Sequence, residues 1–448
     1  MLAAAFALGA LVVLLYMLGR DRDEPTSSNP SPPPAATNGQ DASETNRSPD
    51  PPPTPEPDPN DALTQETEAD DPASLESPEQ DSPAGSPTEL LGQIRAAFEA
   101  NDMQAIEQLI GPDALTEKSR NRLHAMSESG TLPLRPEHNA REVGELELNK
   151  RNRWALKLDG AKPGRDRIFF DLRKNDDGSW QVESLTLPPQ PDEDVPLAPL
   201  TDPLGIADAF IQATLRQEYQ KARKFVDSSS VSDPKIATLC ILFEEGKYHL
   251  RENKPLRAIT GGPNAGHAGF LAYIVAADGS ETAQLSLQLE KSENDQSWQV
   301  VELNLESLLS DYAKRVAGGD VYYTPLIKNP QGGDTLVLYF DFDEAQLSPR
   351  TQRQLDIVVE ALRLDNTKKL TLSGHTDALG TEDYNEKLSG QRASSVKEFL
   401  VEAGVDPSQI VTQAAGQSQP RRPNFTPSGE DDPHGRRANR RTEIYLDF

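Results

Sequence analysis

Two charged residues near the carboxyl end of the chain have the spacing of a binding site. Asp377 follows the alternating apolar run KKLTLSG at residues 368–374, which is typical of a strand. Arg392 lies fifteen residues later, in the same i, i+4 row as Leu388 and Leu400, where an apolar residue is expected. The pattern predicts a guanidinium on the inner face of an amphipathic helix.

Such a guanidinium needs an anionic partner, because an unpaired buried charge is costly. A carboxylate at a strand end and an arginine in the following helix together suit a group that carries both an ammonium and a carboxylate, such as an amino-acid head group. The spacing equally allows a plainer interpretation, in which Asp377 and Arg392 form a structural ion pair that only braces the loop. Spacing alone leaves both interpretations open.

The surrounding sequence predicts the elements that position this pair. TLVLYFDF at residues 335–342 is typical of a first strand, and Ser348 with Pro349 forms a good N-cap and first turn for a helix. The helix that carries Arg392 is predicted to end at Gly404. QIVTQAAG at residues 409–416 and RTEIYLDF at residues 441–448 supply two further strands, so we expect a helix-backed α+β sheet.

Four motifs in this region resemble those of the OmpA-like peptidoglycan-binding domain, which is shared by outer-membrane protein A, the peptidoglycan-associated lipoproteins and MotB. They are YFDFDEAQL at residues 339–347, SGHTDALG at 373–380, YNEKLSGQRASSVKEFL at 384–400 and GRRANRRTEI at 435–444. The resemblance covers residues 335–448, about a quarter of the chain, and implies a βαβαβ fold that binds peptidoglycan noncovalently.

The resemblance also implies roles for individual residues. Asp377 would bind the ammonium group of diaminopimelate in the stem peptide, and Arg392 would bind its carboxylate. The other implied site residues are Asn385, which opens the NxxLSxxRA motif, Leu388 and Ser389 at the pocket floor, and Thr376 and Arg441 as weaker candidates. The loop at residues 420–435 is longer and more acidic than the family pattern, which puts a contact from Asn424 in doubt. We expect alanine variants of Asp377 and Arg392 to stay folded, on the premise that the pocket is open to solvent.

The amino terminus predicts a membrane anchor. Residues 2–19 form an uncharged, apolar run long enough to cross a bilayer core of about 30 Å. The run ends in LLYMLGRDRD without a small-x-small cleavage site, which favours an uncleaved transmembrane helix at residues 1–19 over a signal peptide. We expect a single-pass inner-membrane protein whose bulk lies in the periplasm, because the wall-binding domain would find no ligand in the cytoplasm.

Charge and proline content predict a tether after the anchor. Residues 24–88 hold fourteen acidic residues against one basic residue, which gives −13 of the chain's net charge of −27, together with sixteen of its 37 prolines and no aromatic residue. Such a stretch cannot bury enough apolar surface to fold, so we expect a disordered linker there. The net charge argues against nucleic acid as a partner.

Metal and thiol chemistry find little support in the sequence. Cys240 is the single cysteine, so no intrachain disulfide can form, and it lies in an apolar run that is typical of a core. The six histidines have no metal-ligand spacing. We expect no metal and no cofactor.

The middle of the chain predicts a duplicated α+β module at residues 89–190 and 203–310. Each copy opens with an amphipathic helical stretch and closes with a tryptophan-bearing strand, and Trp180 and Trp298 lie 118 residues apart. The alternating runs between them are typical of antiparallel strands. The pattern resembles the cone of helix and curled sheet found in nuclear-transport-factor-like and cystatin-like proteins.

Taken together, these patterns predict a non-enzymatic, membrane-anchored protein that binds peptidoglycan through an OmpA-like domain at residues 330–448 and tethers envelope layers. Residues 89–310 would serve as spacers or contact envelope protein partners. One alternative is a motor stator, which is disfavoured because residues 2–19 contain no ionisable group. Another is a ligand-binding or enzymatic role of the middle modules, although they carry no nucleophile elbow, phosphate-binding glycine loop or HExxH motif.

Overall fold

The computed structural model describes residues 85–447, apart from short gaps at 131, 133, 135–139, 162–164, 190–199, 263–264, 282, 293–295, 317, 320–322, 329–332 and 364–366. The predicted anchor at residues 1–19 lies outside the described residues, as does the predicted linker at 24–88 except for its last four residues. Helix α1 begins at Pro87, within the predicted linker, because Ser86 caps it by accepting a hydrogen bond from the Glu89 amide.

The first module consists of three helices followed by an antiparallel sheet. The sheet has the strand order β1-β2-β3-β4, so each strand pairs with the next in sequence. The elements are α1 (Pro87–Glu99), α2 (Met103–Ile110), α3 (Glu117–Glu128), β1 (Arg141–Glu147), β2 (Arg151–Lys157), β3 (Arg167–Lys174) and β4 (Trp180–Thr186).

The second module repeats this order and adds a short edge strand and a closing helix. Strands β6 to β9 again form an antiparallel meander, with β5 pairing β7 at the edge. The elements are α4 (Pro203–Leu215), α5 (Tyr219–Arg223), α6 (Asp233–Gly246), β5 (His249–Leu250), β6 (Leu256–Gly261), β7 (His267–Val275), β8 (Ala283–Lys291), β9 (Trp298–Asn304) and α7 (Glu306–Arg315).

The two tryptophans occupy matching places in these sheets. Trp180 opens β4 and pairs with Lys174, the last residue of β3, while Trp298 opens β9 and pairs with Lys291, the last residue of β8. Both strand pairs also carry an irregularity of register near the same point. The antiparallel α+β character of both modules agrees with the sequence pattern, and their origin in one duplicated unit stays a prediction.

The modules pack against one another. The described residues of the first module have a core of their own, which includes Phe98, Trp154 and Phe170. The opposite face of its sheet contributes Val143 and Phe169 to a larger core that runs through the second module into the C-terminal domain. Strands β1 and β2 are therefore buried on both faces over most of their length, although strict alternation would have predicted one exposed face.

The C-terminal domain is a mixed five-stranded sheet of order β10-β11-β14-β12-β13, in which only β12 and β13 run parallel. Helix α9 packs on this sheet, and the apolar residues of α8 belong to the same core. The elements are β10 (Leu326–Lys328), β11 (Asp334–Tyr339), α8 (Pro349–Arg363), β12 (Lys369–His375), α9 (Glu382–Glu402), a 3-10 turn (Pro407–Gln409), β13 (Ile410–Ala414), α10 (Pro433–Asn439) and β14 (Arg441–Asp447).

Several predicted element ends in this domain are confirmed. Helix α8 begins at Pro349, where the Ser348 hydroxyl accepts a hydrogen bond from the Thr351 amide over 3.1 Å. Helix α9 ends at Glu402, just before Gly404, whose φ of 94° is in the left-handed region. The first strand ends earlier than predicted, at Tyr339, because the chain turns away and reaches a positive φ at Asp343.

Among the described residues, no helix combines the length and the apolar character needed to cross a bilayer. The predicted anchor is not among them.

Candidate functional site

A pocket with a volume of about 200 Å³ lies between the end of β12, the start of α9 and the segment that precedes β14. It contains both residues of the predicted pair, Asp377 and Arg392. Of the other predicted site residues, Thr376, Asn385 and Leu388 also line it, whereas Ser389 and Arg441 do not. The pocket therefore brings five of the seven predicted residues together.

Asp377 projects from the loop that follows β12 and is 3% exposed. One carboxylate oxygen, Oδ1, accepts a hydrogen bond from the Leu379 amide over 3.1 Å, so the loop folds around the side chain. The other oxygen, Oδ2, accepts a hydrogen bond from Arg440 Nη1 at 2.9 Å and lies 3.6 Å from Arg436 Nη1. Two arginines next to β14 therefore neutralise this carboxylate.

Arg392 is fully buried on the inner face of α9, as its place in the apolar row predicted. Its guanidinium donates to three backbone carbonyls: Nε to Glu344 at 2.8 Å, Nη1 to His375 at 2.9 Å and Nη2 to Asp341 at 3.1 Å. Burial lowers the pKa of Arg392 to about 10, and the charge of Arg440 acts in the same direction. The cation is held by carbonyl dipoles, and no carboxylate in the described part of the chain is bonded to it.

The structure contradicts one alternative interpretation of this pair and one premise about it. Asp377 and Arg392 form no ion pair with each other, because Asp377 is engaged by Arg440 and Arg392 by carbonyl groups. The premise that the pocket leaves the side chain of Arg392 open to solvent also fails, since this residue is 0% exposed. Truncating Arg392 would leave three carbonyl groups without their donor.

Three further predicted residues form the walls of the pocket. Asn385 is buried in the first turns of α9 and donates to the side chain of Gln417 over 2.7 Å. Thr376 is buried, and its hydroxyl has no hydrogen-bond partner among the residues that the structure describes. That hydroxyl is a polar group available to a ligand, while Leu388 adds an apolar contact.

Ser389 does not line the pocket but connects the helix beside it to a neighbouring segment. Its hydroxyl donates to the carbonyl of Glu386 at 2.7 Å and accepts from the Gly416 amide at 3.0 Å, so it ties α9 to the segment after β13. Helix and strand approach closely here, since a Cβ on Gly374 would lie 1.9 Å from the Ser389 carbonyl oxygen. The hydrogen bonds of Ser389 and the missing side chain at Gly374 together allow α9 to pack closely against β12.

Arg441 is buried in β14 and pairs with Glu443, with its Nε 2.7 Å from Oε1. Glu443 lies 3.7 Å from the ring of His375, which is fully buried. Burial and the positive charge of Arg441 together lower the pKa of His375 to about 4, although the charge of Glu443 acts in the opposite direction. The arrangement makes Arg441 part of the sheet interior beside the pocket.

Arg440, the neighbour of Arg441, is a site residue that the sequence did not single out. It lines the pocket and pairs with Asp377, while its Nε is buried without a partner in the described part of the chain. The only signal was its position in the NRR run of the last motif, where periodicity cannot tell which arginine faces the pocket.

The unusual loop at residues 420–435 reaches back to the site. Asn424 accepts a hydrogen bond from the Ala378 amide at 3.2 Å and another from Asn439 at 2.9 Å. It therefore holds the backbone next to Asp377 and is not among the residues that line the pocket.

Exposed apolar side chains surround the pocket mouth. Phe342, Leu379 and Tyr384 are 57%, 39% and 47% exposed, and all three line the pocket. The Tyr384 hydroxyl also bonds to Asp343. A ligand would find charged groups in the interior and apolar contacts at the rim.

Metal binding has no geometric support here. Within the described ranges, no group of three or more His, Cys, Asp or Glu side chains is arranged to hold a metal ion.

Comparisons with known proteins match the same region. Residues 339–432 match the model of the OmpA family. Outer membrane protein A of Bordetella avium is 42% identical over 108 residues, which are 24% of this chain and 53% of that protein. Peptidoglycan-associated lipoprotein of Pseudomonas aeruginosa is 37% identical over 82 residues, 18% of this chain and 48% of that protein.

Two further matches are more limited. Photosystem I P700 chlorophyll a apoprotein A2 of Gloeobacter violaceus is 34% identical over 142 residues, 32% of this chain and 15% of that protein. The solved peptidoglycan-associated lipoprotein from Burkholderia pseudomallei is 25% identical, with 25% of this chain and 89% of that chain covered, at a TM-score of 0.23 that carries no weight of its own. The chain thus spans about half or less of the length of these three curated relatives. The C-terminal part of the chain, with residues 339–432 matched, is an OmpA-like domain.

Proposed function

We propose that this protein binds peptidoglycan noncovalently through its OmpA-like domain and recognises the diaminopimelate side chain of the stem peptide. The observation that carries the proposal is the buried Arg392, a cation with no carboxylate bonded to it among the described residues, in the same pocket as Asp377. The name of one relative, peptidoglycan-associated lipoprotein, points to the same ligand.

The hydrogen bonds of Arg392 leave two of its N–H donors unused by the described residues. A guanidinium has five N–H donors in a fixed planar fork, and three of them are used by the carbonyls of Asp341, Glu344 and His375. The remaining donors suit a carboxylate, because charge-assisted bonds to a guanidinium are short and strong. The carbonyls orient the group before the ligand arrives, so little side-chain entropy is lost on binding.

The ammonium group would bind at Asp377. A carboxylate offers about four lone-pair sites, of which one is taken by the Leu379 amide and one by Arg440. A ligand ammonium would share this carboxylate with Arg440. The free Thr376 hydroxyl supplies one more polar contact, and Phe342 and Tyr384 would pack against the neighbouring part of the stem peptide.

The remainder of the chain would place this domain at the wall. We propose that residues 1–19 anchor the protein in the inner membrane and that residues 24–88 form a flexible tether, with an average span of about 45 Å for a coil of that length. The folded part would then lie in the periplasm and link the membrane to peptidoglycan. We propose a binding and structural role, with no chemical step, and envelope protein partners for residues 89–310.

A pull-down with purified peptidoglycan tests the proposal. The full chain should sediment with the polymer, and free diaminopimelate should release it by competing for the pocket. Asp377→Asn removes the negative charge and keeps the shape, so it should weaken binding at least about tenfold.

Asp356→Asn is the matched control, because Asp356 lies exposed on α8 and undergoes the same loss of charge. It should bind like the parent. Sedimentation that free diaminopimelate does not reduce, and that Asp377→Asn does not weaken, would show that this pocket is not the wall-binding site.

A further inference from the structure

A second pocket lies between the first and second modules, far along the chain from the OmpA-like domain. Its volume is about 160 Å³, and it is lined by β1 and β2 of the first module and by α4 of the second, among other segments. The walls carry charges of both signs. None of the sequence motifs described above predicts this inter-module pocket. It also lies outside the region matched to the OmpA family.

The walls of the inter-module pocket are tightly joined. Glu142 on β1 accepts a hydrogen bond from the Lys254 amide of the second module over 2.9 Å. Nearby, β1 and β6 approach so closely that a Cβ on Gly144 would lie 2.6 Å from the Cβ of Leu256. The pocket is thus held open by contacts on its border, and it is a defined feature of the fold.

The pocket interior holds carboxylates with poor hydrogen bonds. Asp208 is 7% exposed, and its two oxygens meet Arg167 Nη1 and Gln212 Nε2 only at 3.4 Å. Glu142 is 3% exposed, and besides the Lys254 amide its donor is Asn152 at 3.5 Å. Good N–H···O bonds are about 2.7–3.2 Å long, so these buried groups keep acceptor capacity. Burial raises the pKa of Glu142, although its hydrogen bonds and the charge of Lys254 act in the opposite direction.

Four cationic side chains also line the pocket: Arg141, Lys157, Arg167 and Arg216. Arg167 pairs with Asp208 at 3.4 Å and Lys157 with Asp166 at 3.5 Å, whereas Arg141 and Arg216 are exposed. Arg141 at the start of β1 and Arg216 at the end of α4 have no side-chain hydrogen bond or ion pair within the described part of the chain. Of the charged groups that keep hydrogen-bonding capacity, Asp208 and Glu142 are buried and anionic, whereas Arg141 and Arg216 are exposed and cationic. This polarity complements a molecule that has an ammonium group at one end and a carboxylate at the other.

We propose that the inter-module pocket binds a small amino-acid zwitterion. Its ammonium group lies against Asp208 and Glu142, and its carboxylate faces Arg141 and Arg216. The apolar lining by Val143, Ala155 and Leu250 leaves space for a short aliphatic side chain. The site gives the middle modules a ligand-binding role that does not depend on wall binding.

Three probes of similar size test the proposal by ligand-observed NMR titration of the full chain. Alanine carries both charged groups, propionate lacks the ammonium and ethylamine lacks the carboxylate. Alanine should bind at least about tenfold more tightly than either half-probe, because each missing group forfeits a charge-assisted contact. Asp208→Asn and Arg216→Gln should each weaken alanine binding by a similar factor.

Controls separate this site from the OmpA-like domain and from loss of fold. Asp176→Asn in the exposed β3–β4 turn and Arg173→Gln on β3 change charge away from the pocket and should leave alanine binding unchanged. Asp377→Asn should also leave it unchanged. Arg216 is exposed and has no side-chain partner in the described part of the chain, so Arg216→Gln should not unfold the protein.

Several outcomes would overturn the proposal. Alanine and one of the half-probes could bind equally tightly, or alanine could show no saturable binding. Alternatively, Asp377→Asn could weaken alanine binding while Asp208→Asn and Arg216→Gln leave it unchanged. The last result would assign the alanine signal to the OmpA-like domain.

Discussion

Replacing Arg392 with Met should destabilise the protein, because the arginine joins three backbone segments. Methionine keeps most of the buried volume and removes every donor, so the carbonyls of Asp341, Glu344 and His375 lose their partner. Charge-assisted hydrogen bonds contribute about 1.5–3 kcal/mol each, so the gross loss is about 5–9 kcal/mol.

Part of this loss is offset. Holding a cation in a buried site has a cost, and the decrease of its pKa from 12.5 to about 10 corresponds to about 3 kcal/mol. We therefore expect a net decrease of about 2–6 kcal/mol in the free energy of unfolding, a large part of the 5–15 kcal/mol typical of a folded protein.

Urea unfolding followed by tryptophan fluorescence measures this difference. Trp298 reports on the core that the second module shares with the OmpA-like domain. Arg392→Lys keeps a charge and some donors, so its stability should lie between those of the parent and Arg392→Met. Arg173→Met, at a position 59% exposed in its side chain, should change stability by less than about 0.5 kcal/mol. A decrease below about 1 kcal/mol for Arg392→Met would refute the bracing role.

Three more substitutions test other parts of the structure. Glu245→Ala breaks a buried contact between α6 and α8 and should cost about 3–5 kcal/mol in unfolding experiments, whereas Glu244→Ala, at the half-buried neighbouring residue, should cost less than about 1 kcal/mol. His375 resists protonation in the folded protein, so lowering the pH from 7 to 4 should decrease the free energy of unfolding of the parent by about 3 kcal/mol. The His375→Asn variant has no imidazole and should not show this decrease. Thr376→Val removes an unpaired buried hydroxyl, so it should keep or raise stability while weakening peptidoglycan binding a few-fold.

The side chain of Glu245 is 4% exposed and bonds to Arg350 at 2.8 Å, whereas Glu244 and its partner Arg353 are 32% and 54% exposed. Equal costs for the two glutamates would mean that the junction is not a rigid contact. The pKa of His375 is about 4 in the fold against an ordinary 6.5, so its contribution is present above pH 6.5 and lost as the pH falls toward 4. An identical pH profile for His375→Asn would contradict this, as would unchanged binding for Thr376→Val.

Local patterns predicted the elements around the site because short-range physics determines them. The cap at Ser348, the stop at Gly404 and the inward position of Arg392 follow from turn chemistry and from a period of 3.6 residues. The structure confirms all three.

The partners of the charged groups could not be predicted in this way. Arg440 is 63 residues from Asp377, and only the pairing of β12 with β14 brings them together. Strand β1 is likewise buried on its second face by the second module, which follows later in the chain. The residues of β1 alone therefore give no local signal of this burial. Contacts of this kind depend on tertiary packing, which periodicity does not encode.

The most direct test of wall recognition compares two soluble stem peptides by calorimetry, one with diaminopimelate and one with lysine at the same position. The two side chains share the ammonium group and differ by the terminal carboxylate that Arg392 would bind. We predict that the full chain binds the diaminopimelate peptide at least about tenfold more tightly. Equal affinities for the two peptides would contradict the assignment of Arg392 as the carboxylate-binding residue.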